Sequence, residues 1–171
     1  DSIMLPMVKD HKEVESFTQQ IDGRAESWIL LETIDSLKNI ELIVNTRGVN
    51  RYHIGLNDLH IEKKLGFMFE LLSDGTVEQC IKYLVSNNLK CGFGGIGIAQ
   101  NSLLDPKLIL SEHKRINSSS VILSRNFYIN ESGQLSIMSF EENLNKLNDY
   151  ISSLSKLGLS DMEENRKKLS I

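Results

Sequence analysis

Short apolar runs alternate with longer amphipathic stretches along the chain, a pattern that predicts βα units around a parallel sheet. Five runs read as strands: Ile3 to Val8, Trp28 to Glu32, Tyr52 to Leu56, Cys91 to Ile96 and Val121 to Leu123. Between them, apolar positions at helical spacing predict helices at about Lys12 to Ile21, Ile34 to Thr46, Val77 to Asn87 and Asp105 to Lys114. Asp105 followed by Pro106 is a specific start signal, a capping residue before a proline suited to the first turn. Asp74 or Thr76 is the expected N-cap of the third helix. The stretch from His60 to Ser73 carries apolar side chains without clean strand or helix bounds. It reads as a long connection of the kind that covers a site or meets a neighbouring subunit. Asn130 to Gly133 reads as a turn, Ser139 to Leu157 as a helix, and Asp161 to Ile171 as a charged helical tail. No repeat, linker or composition shift divides the chain, so residues 1–171 are expected to form one domain.

Two strand-like runs lead into an acid. Glu32 closes the run from Trp28, and Asp58 follows His53-Ile-Gly-Leu-Asn57. Such carboxylates converge only if neighbouring parallel strands end on one common face, as at the rim of a β/α barrel. A convergent pair implies a hard divalent cation, Mg²⁺ or Mn²⁺. Read singly, the same residues are solvated strand-end acids that cap the following helix, and both readings stay open at this point.

Composition narrows the partners. The 19 basic and 23 acidic residues are interspersed and sum to a net charge of -4, leaving no stripe for a phosphate backbone, so no nucleic-acid partner is expected. No apolar run approaches the roughly 20 residues that span a bilayer. Asp1 to Val8 lacks the basic start of a signal peptide, so the expected location is cytoplasmic, with no membrane partner. Cys80 and Cys91 lack Cys-x-x-Cys spacing and read as buried thiols. Gly92 to Gly97 matches G-x-G-x-x-G, but the next helix starts near Asp105, so a close-packed, glycine-rich rim is the better reading than a dinucleotide loop. Arg125, after Val121 to Ser124, is a cation placed either for a substrate carboxylate or phosphate or for a rim salt bridge. Lys9 reads as solvated, His53 as a satisfied interior histidine and Trp28 as core, while His60 lies within reach of the site through its loop.

Three motifs in consistent order, Ile3-Met-Leu-Pro-Met-Val-Lys9, Leu30-Leu-Glu-Thr33 and Ile54-Gly-Leu-Asn-Asp-Leu59, resemble the HpcH/HpaI aldolase/citrate lyase family of phosphoenolpyruvate/pyruvate-type barrels, over about residues 3 to 128. In that family the fourth strand carries Pro-Met, the fifth ends in Glu-Thr and the sixth in Gly-x-x-Asp-Leu. The resemblance implies an α/β fold of the TIM (β/α)8 type lacking its first three βα units. Strands four to eight would occupy about residues 1–128, and C-terminal helices about 139–171. It also implies that Glu32 and Asp58 are the protein ligands of Mg²⁺ or Mn²⁺, which chelates a 2-keto acid of the pyruvate or oxaloacetate class. The activity would be class II aldolase-type carbon-carbon cleavage through a metal-stabilised pyruvate enolate. Gly55, Leu56 and Asn57 would lie against the substrate, with Gly55 leaving the backbone open to close approach; Arg125 is a further candidate contact.

The chain departs from the family at Leu56, where proline is common. The family's catalytic arginine and histidine belong to strands two and three, outside this chain. None of His11, His53, His60 and His113 matches the histidine position. Citrate-lyase-like acyl-CoA cleavage and a non-catalytic barrel remnant or partner subunit are the alternatives. Related barrels assemble with C-terminal helices on a neighbour, so a homo-oligomer is expected.

Overall fold

The computed structural model describes residues 1–97, 104–129 and 132–169. Its elements run β1 (Ser2–Leu5), α1 (His11–Ile21), β2 (Glu26–Leu31), α2 (Ile34–Lys38), α3 (Ile40–Val44), β3 (Arg51–Gly55), α4 (Leu56–Glu62), α5 (Glu70–Ser73), α6 (Thr76–Ser86), β4 (Cys91–Gly94), α7 (Pro106–Arg115), a 3-10 turn (Arg125–Phe127), α8 (Ile137–Leu154) and α9 (Leu159–Lys167). Asn130 and Glu131 of the expected turn, and the last two residues of the expected tail, lie outside the described residues.

The strands form a four-stranded parallel sheet in the order β1-β2-β3-β4. This corrects the expected TIM (β/α)8-type barrel: the chain is an α/β protein with a four-stranded sheet, not a closed or nearly closed ring. The fifth expected strand, Val121 to Leu123, is not formed. Among the described residues, two isolated parallel bridges join this region to β4 and the residues after it, Gly92 to Ser120 and Ile96 to Leu123. The apolar run is shorter than the five or six residues of an ordinary strand and is flanked by serines. The bridges also oppose a longer span on the β4 side to a shorter one, an extra residue of the bulge kind. Gly94, at φ 123°, supplies the turn out of the pleat there.

Register sorts the sheet into two faces. Ile29, Tyr52 and Cys91 align in one row, and Leu31, Ile54 and Phe93 in the next; all are buried in the hydrophobic core. On the opposite face Trp28 pairs with Arg51, and Leu30 with His53 and Gly92. There the Arg51 guanidinium lies 4.7 Å over the Trp28 ring, so Trp28 is half-buried rather than core.

Local signals explain the helix boundaries. Asp10 accepts from the N–H groups of Lys12 and Glu13 to start α1, and Asp105 accepts from Lys107 N–H with Pro106 in the first turn of α7. Gly75 takes the N-cap position of α6, while Asp74 accepts from Thr76 N–H. The single helix expected over Ile34 to Thr46 is two, broken at Asn39, whose amide donates to the Lys9 carbonyl at 2.9 Å. The long connection after His60 instead contains the end of α4 and all of α5, and it buries Phe69, Leu71 and Leu72 in the core. Among the described residues no helix is long and apolar enough to cross a membrane.

Candidate metal centre

Glu32 follows β2 and is 4% exposed; Asp58 sits exposed in the first turn of α4, directly after β3. Because β2 and β3 are adjacent and parallel, both acids leave the sheet at the same end. Their carboxylates are neighbours. Burial holds the Glu32 carboxyl above the usual carboxylate range, the Met7 N–H pulls it down, and the facing Asp58 carboxylate raises it again. Two like charges in contact, one of them buried, make a place where a cation or a shared proton is stabilised.

The two Glu32 oxygens have different surroundings. Oε1 accepts the Met7 N–H at 2.8 Å. Oε2 lies over Gly55, 2.5 Å from where a Cβ would stand there, with the Glu32 Cβ at 2.8 Å from the same point. The space above Gly55, expected to be open to substrate, is therefore filled by the Glu32 side chain. Glu32 does not cap the next helix. Thr33 does, in a capping box with Ser36, and its hydroxyl also donates to the Val8 carbonyl at 2.6 Å. Met7 has φ 54°, a left-handed conformation that costs a non-glycine residue about 1–2 kcal/mol. Sequence reading passed over this residue, and only the Pro6-Met7 motif hinted at it.

The remaining candidates divide. Leu56 is buried in the core, so only its main chain is left to meet a substrate, whereas Asn57 is exposed beside Asp58. Arg125 is exposed in the 3-10 turn and makes no ion pair with any described residue, so no contact ties it to the carboxylates. The His60 ring lies 3.3 Å from the Leu56 carbonyl oxygen of its own helix. Lys9 is solvated, as expected. Among the described residues, no cluster of three or more His, Cys, Asp or Glu is placed to hold a metal. Glu32 and Asp58 would thus supply two hard oxygen donors, and water or substrate oxygens the rest, which suits Mg²⁺ or Mn²⁺.

His53 is interior as expected; its ring faces the Gly94 main chain, but neither ring nitrogen makes a hydrogen bond of ordinary geometry with the described residues. His113 stacks on Phe93 with ring centroids 3.6 Å apart and pairs with Ser118 Oγ at 2.8 Å, leaving Nε2 without a partner. Burial pushes His53 down to about 4; burial and then the charge of His53 push His113 down to about 3. The unfolded chain, with ordinary histidines near 6.5, takes up protons first as pH falls. Folding stability is therefore complete above about pH 6.5 and drops toward pH 4, by about 1.4 kcal/mol per pH unit for each ring. Glu32, with its raised carboxyl, works in the opposite sense, but only in the carboxylate range. Urea midpoints between pH 7.5 and 5 check this; His113→Asn is expected to lower the slope by about half, and an unchanged slope rejects the assignment.

No protein-family profile matches the chain, and no curated protein matches it in sequence. Among solved structures, the fold is similar to the crystal structure of RipC from Yersinia pestis, with a TM-score of 0.61 and 10% sequence identity. The likeness covers 95% of this chain but 66% of RipC, so the chain spans just under two thirds of that protein's length. At this identity the likeness shows the fold alone.

Proposed function

We propose that this chain carries the metal site of a divalent-cation-dependent carbon-carbon lyase of the aldolase type, acting on a 2-keto or hydroxy acid. One observation carries the reading: the Glu32 carboxylate, which lies over Gly55 just past β2, faces the Asp58 carboxylate in the first turn of the helix that follows β3. The motif resemblance to the HpcH/HpaI aldolase/citrate lyase family supports the same pair as ligands and supplies the keto-acid class. A bound Mg²⁺ or Mn²⁺ would act as a Lewis acid on the keto oxygen, stabilising the negative charge left when the adjacent carbon-carbon bond breaks. Glu32 and Asp58 neutralise part of the cation's charge and fix its place. Met7 N–H and Gly55 fix Glu32, and the exposed Asn57 stands where an incoming acid would meet the rim.

The test is Mn²⁺ binding by electron paramagnetic resonance, with and without oxalate as an enolate mimic. Glu32→Ala and Asp58→Ala are each expected to weaken binding by more than about tenfold, or about 1.4 kcal/mol, with unchanged circular dichroism. Oxalate is expected to tighten binding to the wild-type chain. Mn²⁺ affinity unaffected by either substitution would sink the metal assignment; binding without any oxalate effect would sink the keto-acid reading while leaving the metal.

A further inference from the structure

We infer that the main chain at Met7 is the positioning group for Glu32: its N–H holds Oε1 and so sets the orientation of the carboxylate that faces Asp58. The inference rests on the metal reading above and deepens it. Five non-glycine residues among those described have positive φ: Met7, Asp22, Lys64, Asn88 and Asn117. Asp22 ends α1, and Lys64, Asn88 and Asn117 lie one residue beyond the caps of α4, α6 and α7. A left-handed residue is the ordinary way out of a helix. Met7 has no such reason, since it follows a strand.

Its side chain does not explain the conformation either, being 50% exposed. What holds the segment is the end of β2. Met7 N–H donates to Glu32 Oε1, and the next residue, Val8, is buried and accepts from the Thr33 hydroxyl. Strain kept in place by bonds to a site residue is a mark of a constraint imposed by the site. With Oε1 held by the Met7 N–H and Oε2 lying over Gly55, the carboxylate is oriented before any cation arrives.

The experiment replaces Met7 in the full chain by its α-hydroxy analogue, which exchanges the main-chain N–H for an ester oxygen and keeps the side chain. Mn²⁺ affinity is read by electron paramagnetic resonance on protein verified as folded by circular dichroism. Removing an outer hydrogen bond of this kind is expected to weaken binding about 10–100-fold. Met7→Gly, which keeps the N–H and adopts positive φ freely, is expected to lose clearly less affinity than the ester. An ester variant that binds like wild type, while Glu32→Ala does not, overturns the positioning role. So does Met7→Gly losing as much as the ester, which would place the effect in the side chain. A wild-type chain that binds no Mn²⁺ overturns the metal reading itself, and this inference with it.

Discussion

Gly55→Ala is expected to remove Mn²⁺ binding and to destabilise the fold by about 1–3 kcal/mol, the usual range for forcing a methyl group into filled space. The backbone is not the obstacle, because Gly55 has φ -84° and ψ 104°, which alanine adopts freely. The obstacle is Glu32. A new Cβ would lie 2.5 Å from Oε2 and 2.8 Å from the Glu32 Cβ. The carboxylate can swing away, at the loss of its Met7 bond and its place beside Asp58, but the Cβ cannot move without the strand. Glu32→Ala therefore relieves only the first contact, and Glu32→Gly relieves both. Chemical denaturation of Gly55→Ala, Gly55→Ala with Glu32→Ala, and Gly55→Ala with Glu32→Gly checks the order. Stability should recover in part in the first double variant and further in the second, after allowance for the entropy of the added glycine. A Gly55→Ala protein with wild-type stability and Mn²⁺ affinity would show that the two residues do not share this space.

The same residue shows how far sequence carries. A glycine at the end of a strand run, before Leu56-Asn57-Asp58, could be read as a place needing room, but not as room for which neighbour. That depends on register, which sets Gly55 one residue past the Leu31-to-Ile54 pair and so level with Glu32. Glu32 and Asp58 were legible because apolar runs of similar kind end just before each, and parallel strands bring like ends together. Thr33 as the cap, in place of Glu32, follows from a hydroxyl three residues before Ser36, a signal that was present in the sequence. Val121 to Leu123 misled because three apolar residues do not fix a strand when serines flank them and Gly94 turns the neighbouring strand away. Leu56 looked like a rim residue by motif but is drawn into the core as the first residue of α4. Met7 was legible only as part of the Pro6-Met7 motif: its left-handed conformation goes with long-range bonds, Met7 N–H to Glu32 and the Thr33 hydroxyl to the Val8 carbonyl, and no local pattern encodes them.

A second large effect lies away from the site, at Arg115. This side chain, 7% exposed, holds Glu112 through two bonds at 2.6 and 2.9 Å, meets Glu78 at 2.9 and 3.0 Å, and reaches Glu163 at 3.4 Å. Arg166 joins the cluster at 2.9 Å from Glu78, so α6, α7 and α9 are tied through one guanidinium and its acids. The Glu112 bonds, then the others, raise Arg115 further above its ordinary range; Arg115, before Lys82 and Arg166, holds Glu78 down to about 2. Arg115→Met would leave Glu112, 2% exposed, without its cation, and removing one partner of a buried pair costs about 3–5 kcal/mol. Arg115→Lys keeps the charge but lacks the fork that serves two carboxylates at once, so it should recover only part of the loss. If desolvation is the cause, Arg115→Met with Glu112→Leu should be markedly more stable than Arg115→Met alone, because no buried charge is then left unpaired. Glu78 adds a pH signature: with its folded value depressed, it contributes stability above about pH 4.5 that is lost as pH falls toward 2, and this should shrink in Arg115→Met. Thermal and urea unfolding of the three variants decides it. Equal losses for Arg115→Met and the double variant would mean that packing of the arginine stem, not the stranded acid, dominates the cost.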